Sequence, residues 1–234
     1  HLKEYILAVK GLLRGEEVEY RGRQFRGEWR DGENGSLPKK IPIYVSCSGP
    51  KVLKMASQVA DGMVIQMGYA PENIRYVRGI IKESCEEVGR NPDDLDIWWT
   101  TELIFGSSVE DSMRENLGVN IGWVALTSME GKQVPEEYKE PLKALVGDMH
   151  TFAAGYSSAD VGPMMVQRSK QLGIYDWILS RAPGLWGTPD NVSRRLEELG
   201  AMGLTNWMFF VGRMHIDRLD MIKKLSKEVL PNFV

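Results

Sequence analysis

The feature that most constrains this chain is the stretch at residues 41–62, which combines an apolar run, a tight turn and a short helical pattern. Residues 43–45 are β-branched or aromatic, which is typical of a strand. Ser48 is predicted to cap the helix that follows. Pro50 would stand in its first turn, where a missing N–H costs nothing. The segment therefore predicts a strand that leads directly into a helix.

The turn at residues 46–50 reads Ser-Cys-Ser-Gly-Pro and is a candidate anion site. The free N–H groups of a helix N-terminus, together with the positive end of the helix dipole, favour a phosphate. Gly49 would let a ligand approach the main chain closely. A thiol at such a position can have a lowered pKa, but we interpret Cys47 as a small packing residue. The alternative is an ordinary βα turn without a ligand, and such turns far outnumber phosphate sites.

Helices and apolar strands alternate along the chain, which predicts βαβ units and a parallel sheet. Residues 15–29 suit a surface hairpin. The strands that we predict around the alternating helices are residues 43–45, 63–66, 97–105 and 207–211. Four such strands are half of an eight-stranded α/β barrel, and half a barrel leaves unpaired edges. We therefore expect either further strands before residue 1 or closure of the sheet by a partner or by the irregular segment.

Composition excludes several classes of protein. The formal charge of −3 and the pI near 5.8 give no electrostatic case for nucleic-acid binding. No window approaches the roughly 18 consecutive apolar residues of a membrane span. Cys47 and Cys85 do not form a paired framework, so a cytoplasmic setting is expected. The chain opens on His1 inside a helical pattern, which is typical of the later part of a longer protein.

The pattern is least regular over residues 106–186, which we interpret as a specificity segment within a single domain that spans residues 1–234. Residues 151–163 are rich in small residues and are predicted to form a loop. Helical patterns flank this loop, at residues 109–119, 135–145 and 164–172. The pattern becomes regular again at residues 187–191, Gly-Thr-Pro-Asp-Asn, which predict a helix with Thr188 as its cap.

Several segments, taken in order, resemble the luciferase-like family of flavin- and deazaflavin-dependent oxidoreductases. The clearest is IPIYVSCSGPKVLKMASQVADGMVIQ, residues 41–66. VGRNPDDLDI and GTPDNVSRRLEELGAMGLTNWMFF agree further along the chain, at residues 88–97 and 187–210. The opening, residues 2–26, also looks like the helix and hairpin that precede the fifth barrel strand of that family.

The resemblance implies an eight-stranded TIM barrel of the luciferase-like type, of which this chain contains strands five to eight. In such relatives the turn that corresponds to Ser46, Cys47, Ser48, Gly49 and Pro50 binds the cofactor phosphate through backbone N–H groups. The sequence SGPKVL is similar to that of deazaflavin-using members. This implies an oxidoreductase that transfers a hydride between coenzyme F-420 and a small organic substrate.

Two alternatives stay open. One is an FMN-dependent monooxygenase that uses oxygen and reduced flavin supplied by a partner flavin reductase. The other is a non-catalytic flavin-binding or structural half-barrel. A homodimer is expected in each case, because the resemblance implies one and because unpaired strands need a partner surface.

Further candidate site residues lie near the predicted strand ends. Gln66 and Tyr69 follow the second strand, where barrel active sites gather, so we assign them to cofactor and substrate binding. Glu102 stands in an otherwise apolar strand. It is predicted to be either an acid or base with a raised pKa or the ion-pair partner of a nearby arginine. His150 is a possible proton donor, although an exposed loop histidine is the plainer interpretation. Arg213 could bind an anionic group or form a surface salt bridge.

Seven tryptophans are many for this length, and most should pack in the core. Trp123, Trp177 and Trp186 lie in the irregular segment and are predicted to cover a pocket. No group of residues has metal-ligand spacing, and no nucleophile elbow, G-x-G-x-x-G motif or Walker loop is present.

Overall fold

The computed structural model describes residues 1–26, 41–112, 129, 131–155, 158–181, 184–211 and 217–233. The chain divides into two compact units. The first contains His1–Ile65 and Val77–Trp98, and the second contains Gln66–Tyr76 and Trp99–Val234. Each unit contains parallel strands with helices packed beside them, which confirms the predicted α/β class.

The first unit opens with helix α1 (Leu2–Leu13) and an antiparallel hairpin of β1 (Glu17–Tyr20) and β2 (Arg23–Arg26). The two residues between the strands, Arg21 and Gly22, have φ values of 51° and 70°. Positive φ at both positions is what a two-residue hairpin loop requires. The predicted helix and hairpin are therefore confirmed.

The parallel pair of the first unit is β3 (Tyr44–Cys47) and β4 (Gly62–Ile65), joined by helix α2 (Pro50–Val59). The register runs from Tyr44 opposite Gly62 to Cys47 opposite Ile65. Leu53 and Ala56 on α2 are fully buried, and the helix packs on both strands. These elements confirm the predicted strand, turn and helix at residues 41–62.

The C-terminal end of α2 is bound by Arg90, which follows helix α3 (Pro71–Glu86). The Arg90 guanidinium donates to the carbonyl oxygens of Ser57 and Ala60, at 3.2 and 2.6 Å. The last carbonyl groups of a helix have no intrahelical partner and lie at its negative end, so they favour a cation. Arg90 therefore anchors this end of α2.

Strand β5 (Asp96–Phe105) belongs to the second unit from Trp99 onward, and there it pairs in parallel with β6 (Leu185–Gly187) and β7 (Trp207–Val211). The strands predicted at residues 97–105 and 207–211 are confirmed. Strand β6 was not predicted. Its three residues are all buried, and so short an apolar segment carries no periodic signal.

The remaining helices are α4 (Glu136–Gly155), α5 (Ser158–Gln171), α6 (Tyr175–Ser180), α7 (Pro189–Ala201) and α8 (Arg218–Lys224). A 3-10 turn at Pro92–Asp94 precedes β5, and a π-helical turn (Leu225–Val229) and a 3-10 turn (Leu230–Phe233) follow α8. Among the described helices, none combines the length and apolar character that a membrane crossing requires.

The predicted loop at residues 151–163 is wrong. Helix α4 continues to Gly155, and α5 begins at Ser158. Small residues and Pro163 indicate a break locally, but α5 buries Met165 and Val166, and burial of an apolar face stabilises a helix more than propensity does. Of the helix predicted at 109–119, residues 109–112 are helical and the rest lies outside the described residues.

Candidate functional site

The turn between β3 and α2 places the cap of the helix one residue later than predicted. Gly49, with φ −159° and ψ 162°, is the N-cap, and Pro50 is the first helical residue. The prediction of Ser48 as the cap is therefore wrong. Proline disfavours the helical conformation in the residue before it, so the last extended residue has to be Gly49.

The beginning of α2 has no side-chain cap, because glycine carries no acceptor. The N–H groups of the first helical turn also lack intrahelical acceptors. A Cβ atom built on Gly49 would meet no other atom within 4 Å, so the space beside this main chain is open. Backbone donors beside open space, at the positive end of a helix, can bind an anion such as a phosphate.

Cys47 faces the interior of the first unit. Its side chain is fully buried and its thiol donates to the carbonyl oxygen of Val45 at 3.5 Å. Burial raises the pKa of the Cys47 thiol to about 12. The residue therefore packs the turn from within and is not an activated thiol, in agreement with its interpretation as a packing residue. Ser46 is exposed and Ser48 is half-buried.

In the second unit, Tyr69 is surrounded by strand residues. Its side chain is buried, and its hydroxyl donates to the carbonyl oxygen of Thr100. Its ring makes edge contacts with Trp99 and Trp207, with centroids 6.2 and 5.6 Å apart. Burial is the main cause that raises the pKa of Tyr69 well above its usual range, and the nearby charge of Glu102 adds to it. The Tyr69 hydroxyl is thus already hydrogen-bonded to a backbone carbonyl group, and the ring is the part of the side chain that can contact a ligand.

Tyr69 also lines a narrow pocket, the Tyr69 pocket, with Asn73, Lys132, Trp177 and Arg181. Its lining also includes Gly68, Ala70 and Val134. The prediction that Trp177 covers a pocket is confirmed. Neither Lys132 nor Arg181 was predicted, because no local motif marks either residue.

The Tyr69 pocket contains two cationic side chains. Lys132 is 4% exposed, and burial lowers its pKa to about 8. The Arg181 guanidinium forms an ion pair with Glu72, with Nη2 2.5 Å from Oε1, and donates to Oδ1 of Asn73 at 3.3 Å. A buried ammonium whose pKa is lowered by desolvation is stabilised when an anion comes close. The volume of the pocket is about 10 Å³, which is room for one water-sized group, so it can accept at most a single polar or anionic group of a ligand.

The other predicted site residues have mixed positions. Glu102 is half-buried on β5, and its charge acts on Tyr69 as described above. Gln66 is half-buried and directly follows β4. His150 lies in helix α4, so the interpretation that it stands in a loop is wrong. The position of its side chain is outside the described part of the structure. Arg213 also lies outside them. Among the described residues, no group of histidine, cysteine and carboxylate side chains could hold a metal ion.

Known proteins match this chain over most of its length. Residues 1–206 match the model of the luciferase-like monooxygenase family. The chain is 26% identical over 238 residues to the 5,10-methylenetetrahydromethanopterin reductase of Methanopyrus kandleri, which covers 99% of this chain and 62% of that relative. It is 27% identical over 115 residues to the F420-dependent glucose-6-phosphate dehydrogenase of Nakamurella multipartita, covering 49% of this chain and 34% of that relative.

A solved structure agrees with these relatives. The coenzyme F420 dependent tetrahydromethanopterin reductase from Methanopyrus kandleri superposes with a TM-score of 0.65 at 19% identity, over 100% of this chain and 63% of that one. The chain thus spans about six-tenths of the length of the Methanopyrus kandleri reductase, both in the sequence match and in the solved structure. Because the family model covers most of the sequence, the chain belongs to the luciferase-like monooxygenase family.

Proposed function

We propose that this protein is an oxidoreductase that transfers a hydride between a deazaflavin coenzyme of the F420 type and a small organic substrate. Family membership supports an oxidoreductase, and the relatives described above include an F420-dependent enzyme. The observation that carries the proposal is the uncapped beginning of α2 at Gly49. We further propose that the complete protein is an eight-stranded barrel. The four strands predicted from the sequence, β3, β4, β5 and β7, would be its strands five to eight, and the short strand β6 is additional to them.

The turn at residues 46–50 fits the phosphate of such a coenzyme. The backbone N–H groups of Lys51 and Val52, in the first turn of α2, would donate to the phosphate oxygens. The hydroxyl groups of Ser46 and Ser48 can add donors, and Gly49 leaves the space that the phosphate needs. The coenzyme, when bound, supplies the hydride chemistry, and the protein supplies binding and orientation.

We assign substrate binding to the Tyr69 pocket. Lys132 and Arg181 would orient a polar or anionic group of the substrate, and Trp177 would form an apolar wall that excludes water. The lowered pKa of Lys132 leaves its ammonium largely protonated at pH 7, so it can neutralise such a group. Desolvation strengthens this attraction, because a low dielectric screens charge less than water does.

The remaining candidates keep their proposed roles. Gln66 would hydrogen-bond the ring system of the cofactor, and Arg213 would bind an anionic part of the substrate. Glu102 is supported as an acid or base by its half-buried position on β5 and by its effect on Tyr69. His150 is the other candidate for proton transfer.

Separate titrations of the purified 234-residue chain with coenzyme F420 and with FMN test the proposal. We expect saturable binding of F420 and weaker binding of FMN, both measured by the change in cofactor fluorescence. Binding of FMN alone would contradict the deazaflavin assignment. It would favour the monooxygenase alternative, in which a partner reductase supplies reduced flavin and which the description of the matching family supports.

Binding of neither cofactor would contradict an enzymatic role for this chain and favour a structural half-barrel. The mass of the chain in solution, measured by light scattering after size exclusion, tests the expected dimer in the same experiment. If the chain binds F420 as a monomer, the proposed function would stand and the prediction of a dimer would be wrong.

A further inference from the structure

A second cavity, of about 230 Å³, lies in the second unit and shares no lining residue with the Tyr69 pocket. Its walls come from the end of α6, from β6 and from one face of α7. The residues that matter for its chemistry are Leu179, Trp186, Asn191, Arg194, Arg195 and Glu198. A single water needs only about 10–15 Å³ on the same measure, so the cavity can hold a small organic molecule.

The cavity is lined by hydrogen-bond donors whose acceptors are not supplied by the described residues. Trp186 is 3% exposed, and its indole nitrogen Nε1 is buried without an acceptor among those residues. An indole N–H can only donate, and leaving it unpaired in the interior costs free energy. Asn191 uses its Oδ1 oxygen to accept from the N–H and the hydroxyl of Thr188, which leaves its amide N–H groups for another acceptor.

The charges of the cavity favour an anion. Arg195 is paired with Glu198, with Nη1 2.8 Å from Oε2, so these two charges balance. Arg194 makes no hydrogen bond or ion pair within the described part of the chain, so the lining has two arginines against one glutamate. A guanidinium presents a planar fork of donors that matches a carboxylate.

The cavity also has an apolar wall, formed by Leu179 and by the ring of Trp186. A ligand that fits it therefore needs an apolar body as well as acceptor oxygens. We propose that this cavity is a second ligand site, which binds a small carboxylate with an apolar body. The carboxylate accepts from Arg194 and from the Trp186 indole N–H, and the body packs against Leu179. This site is independent of the cofactor assignment.

The test uses benzoate as the probe and benzamide as its neutral counterpart of nearly the same shape. Each is titrated into the full chain while the assigned ¹H–¹⁵N signal of the Trp186 indole is followed by NMR. We expect benzoate to move this signal downfield in a saturable manner, because the N–H gains a charged acceptor. Benzamide should bind at least tenfold more weakly, because it lacks the charge that Arg194 recognises.

Two exposed arginines provide matched variants. Arg194→Gln should weaken benzoate binding at least tenfold, whereas Arg75→Gln on α3, outside the cavity, should leave the affinity unchanged. Equal binding of benzoate and benzamide, an unmoved Trp186 signal, or wild-type affinity in Arg194→Gln would each overturn the proposal. Inorganic phosphate is a third probe, and a Trp186 signal that responds to phosphate but not to benzoate would overturn the carboxylate assignment.

Discussion

Two helices of this chain start in nearly the same way and differ in one chemical detail. Helices α2 and α7 each follow a short parallel strand, and each begins with proline, at Pro50 and Pro189. At α7 the N-cap is Thr188, whose side chain accepts from the N–H of Asn191 at 3.3 Å in a capping box. At α2 the N-cap is Gly49, which has no side chain to accept.

The comparison separates a helix start built for stability from one that is left open for a ligand. A capped start satisfies its own donors and has less to offer an anion. An uncapped start next to open space retains those donors. This difference is why we place the phosphate at Gly49 and not at Thr188, although both segments have a similar outline in the sequence.

The largest expected effect tests whether the bodies of the two helices are equally well packed. Leu53 on α2 and Leu199 on α7 are 0% and 1% exposed. Leu53→Ala and Leu199→Ala should each lower the free energy of unfolding by about 2–5 kcal/mol, because each leaves a cavity in a packed interior. Urea denaturation followed by circular dichroism measures both. A much smaller loss for Leu53→Ala would mean that α2 is not anchored as the structure indicates.

The next effect concerns binding at the open helix start. Gly49→Asp introduces a carboxylate that can cap α2 and repel a phosphate, and the space beside Gly49 accommodates the side chain. The dissociation constant for the bound cofactor should rise by roughly 10- to 100-fold, as expected when a charge-assisted hydrogen bond worth about 1.5–3 kcal/mol is lost. Fluorescence titration measures it.

The matched control for this variant is Gly49→Asn, which caps the helix without adding charge and should weaken the cofactor less than Gly49→Asp. Unchanged cofactor affinity in both variants would show that the phosphate does not bind at the start of α2. The assignment of the turn at residues 46–50 would then have to be abandoned.

A smaller effect is expected at the capped helix. Thr188→Ala removes the acceptor for the Asn191 N–H and should lower the free energy of unfolding by about 1 kcal/mol. Cofactor affinity should not change. Thr188→Ser keeps an acceptor hydroxyl and should retain most of the stability. A loss of cofactor binding in Thr188→Ala would show that the two helix starts are not functionally distinct.

The smallest effect is the stability of Gly49→Asn itself. Replacing a glycine N-cap with asparagine should raise the free energy of unfolding by a few tenths of a kcal/mol. Differential scanning calorimetry of the cofactor-free chain can detect this gain. A destabilised variant would indicate that the region beside Gly49 is more crowded than the structure shows.

Helix α7 illustrates what the sequence alone can predict. Thr188, Pro189 and Asn191 lie within four residues of one another, so the interactions that start the helix are local. Val192, Leu196 and Leu199 recur at helical spacing in the sequence, and all three are buried. Where the stabilising contacts are close in sequence, residue types and spacing are sufficient.

Elements stabilised by distant contacts were missed. Strand β6 is three residues long and exists because Leu103–Phe105 of β5 pairs with it. Helices α4 and α5 replace a predicted loop for a similar reason, since Leu142, Leu145 and Met165 are fully buried. Glycine, proline and other helix-breaking residues in a sequence do not reveal that a segment is buried against distant parts of the chain.

The candidate sites divide in the same way. The turn at residues 46–50 could be proposed as a site from the sequence because its chemistry belongs to the backbone of one segment. In contrast, the Tyr69 pocket is assembled from residues far apart in sequence, among them Tyr69, Lys132 and Arg181. Among the residues that line it, only Tyr69 and Trp177 were predicted from the sequence, from their residue type and their position in the chain.

The clamp formed by Arg90 at the far end of α2 has a consequence for how this protein can change over time. The guanidinium binds the carbonyl end of the helix, so these contacts do not depend on which residues stand at the opposite end. If the turn binds the cofactor as proposed, substitutions at Ser48 and Gly49 would alter ligand affinity and leave the contacts of Arg90 in place. The two ends of one helix would then serve different needs, with structural support at Ala60 and ligand choice at Gly49.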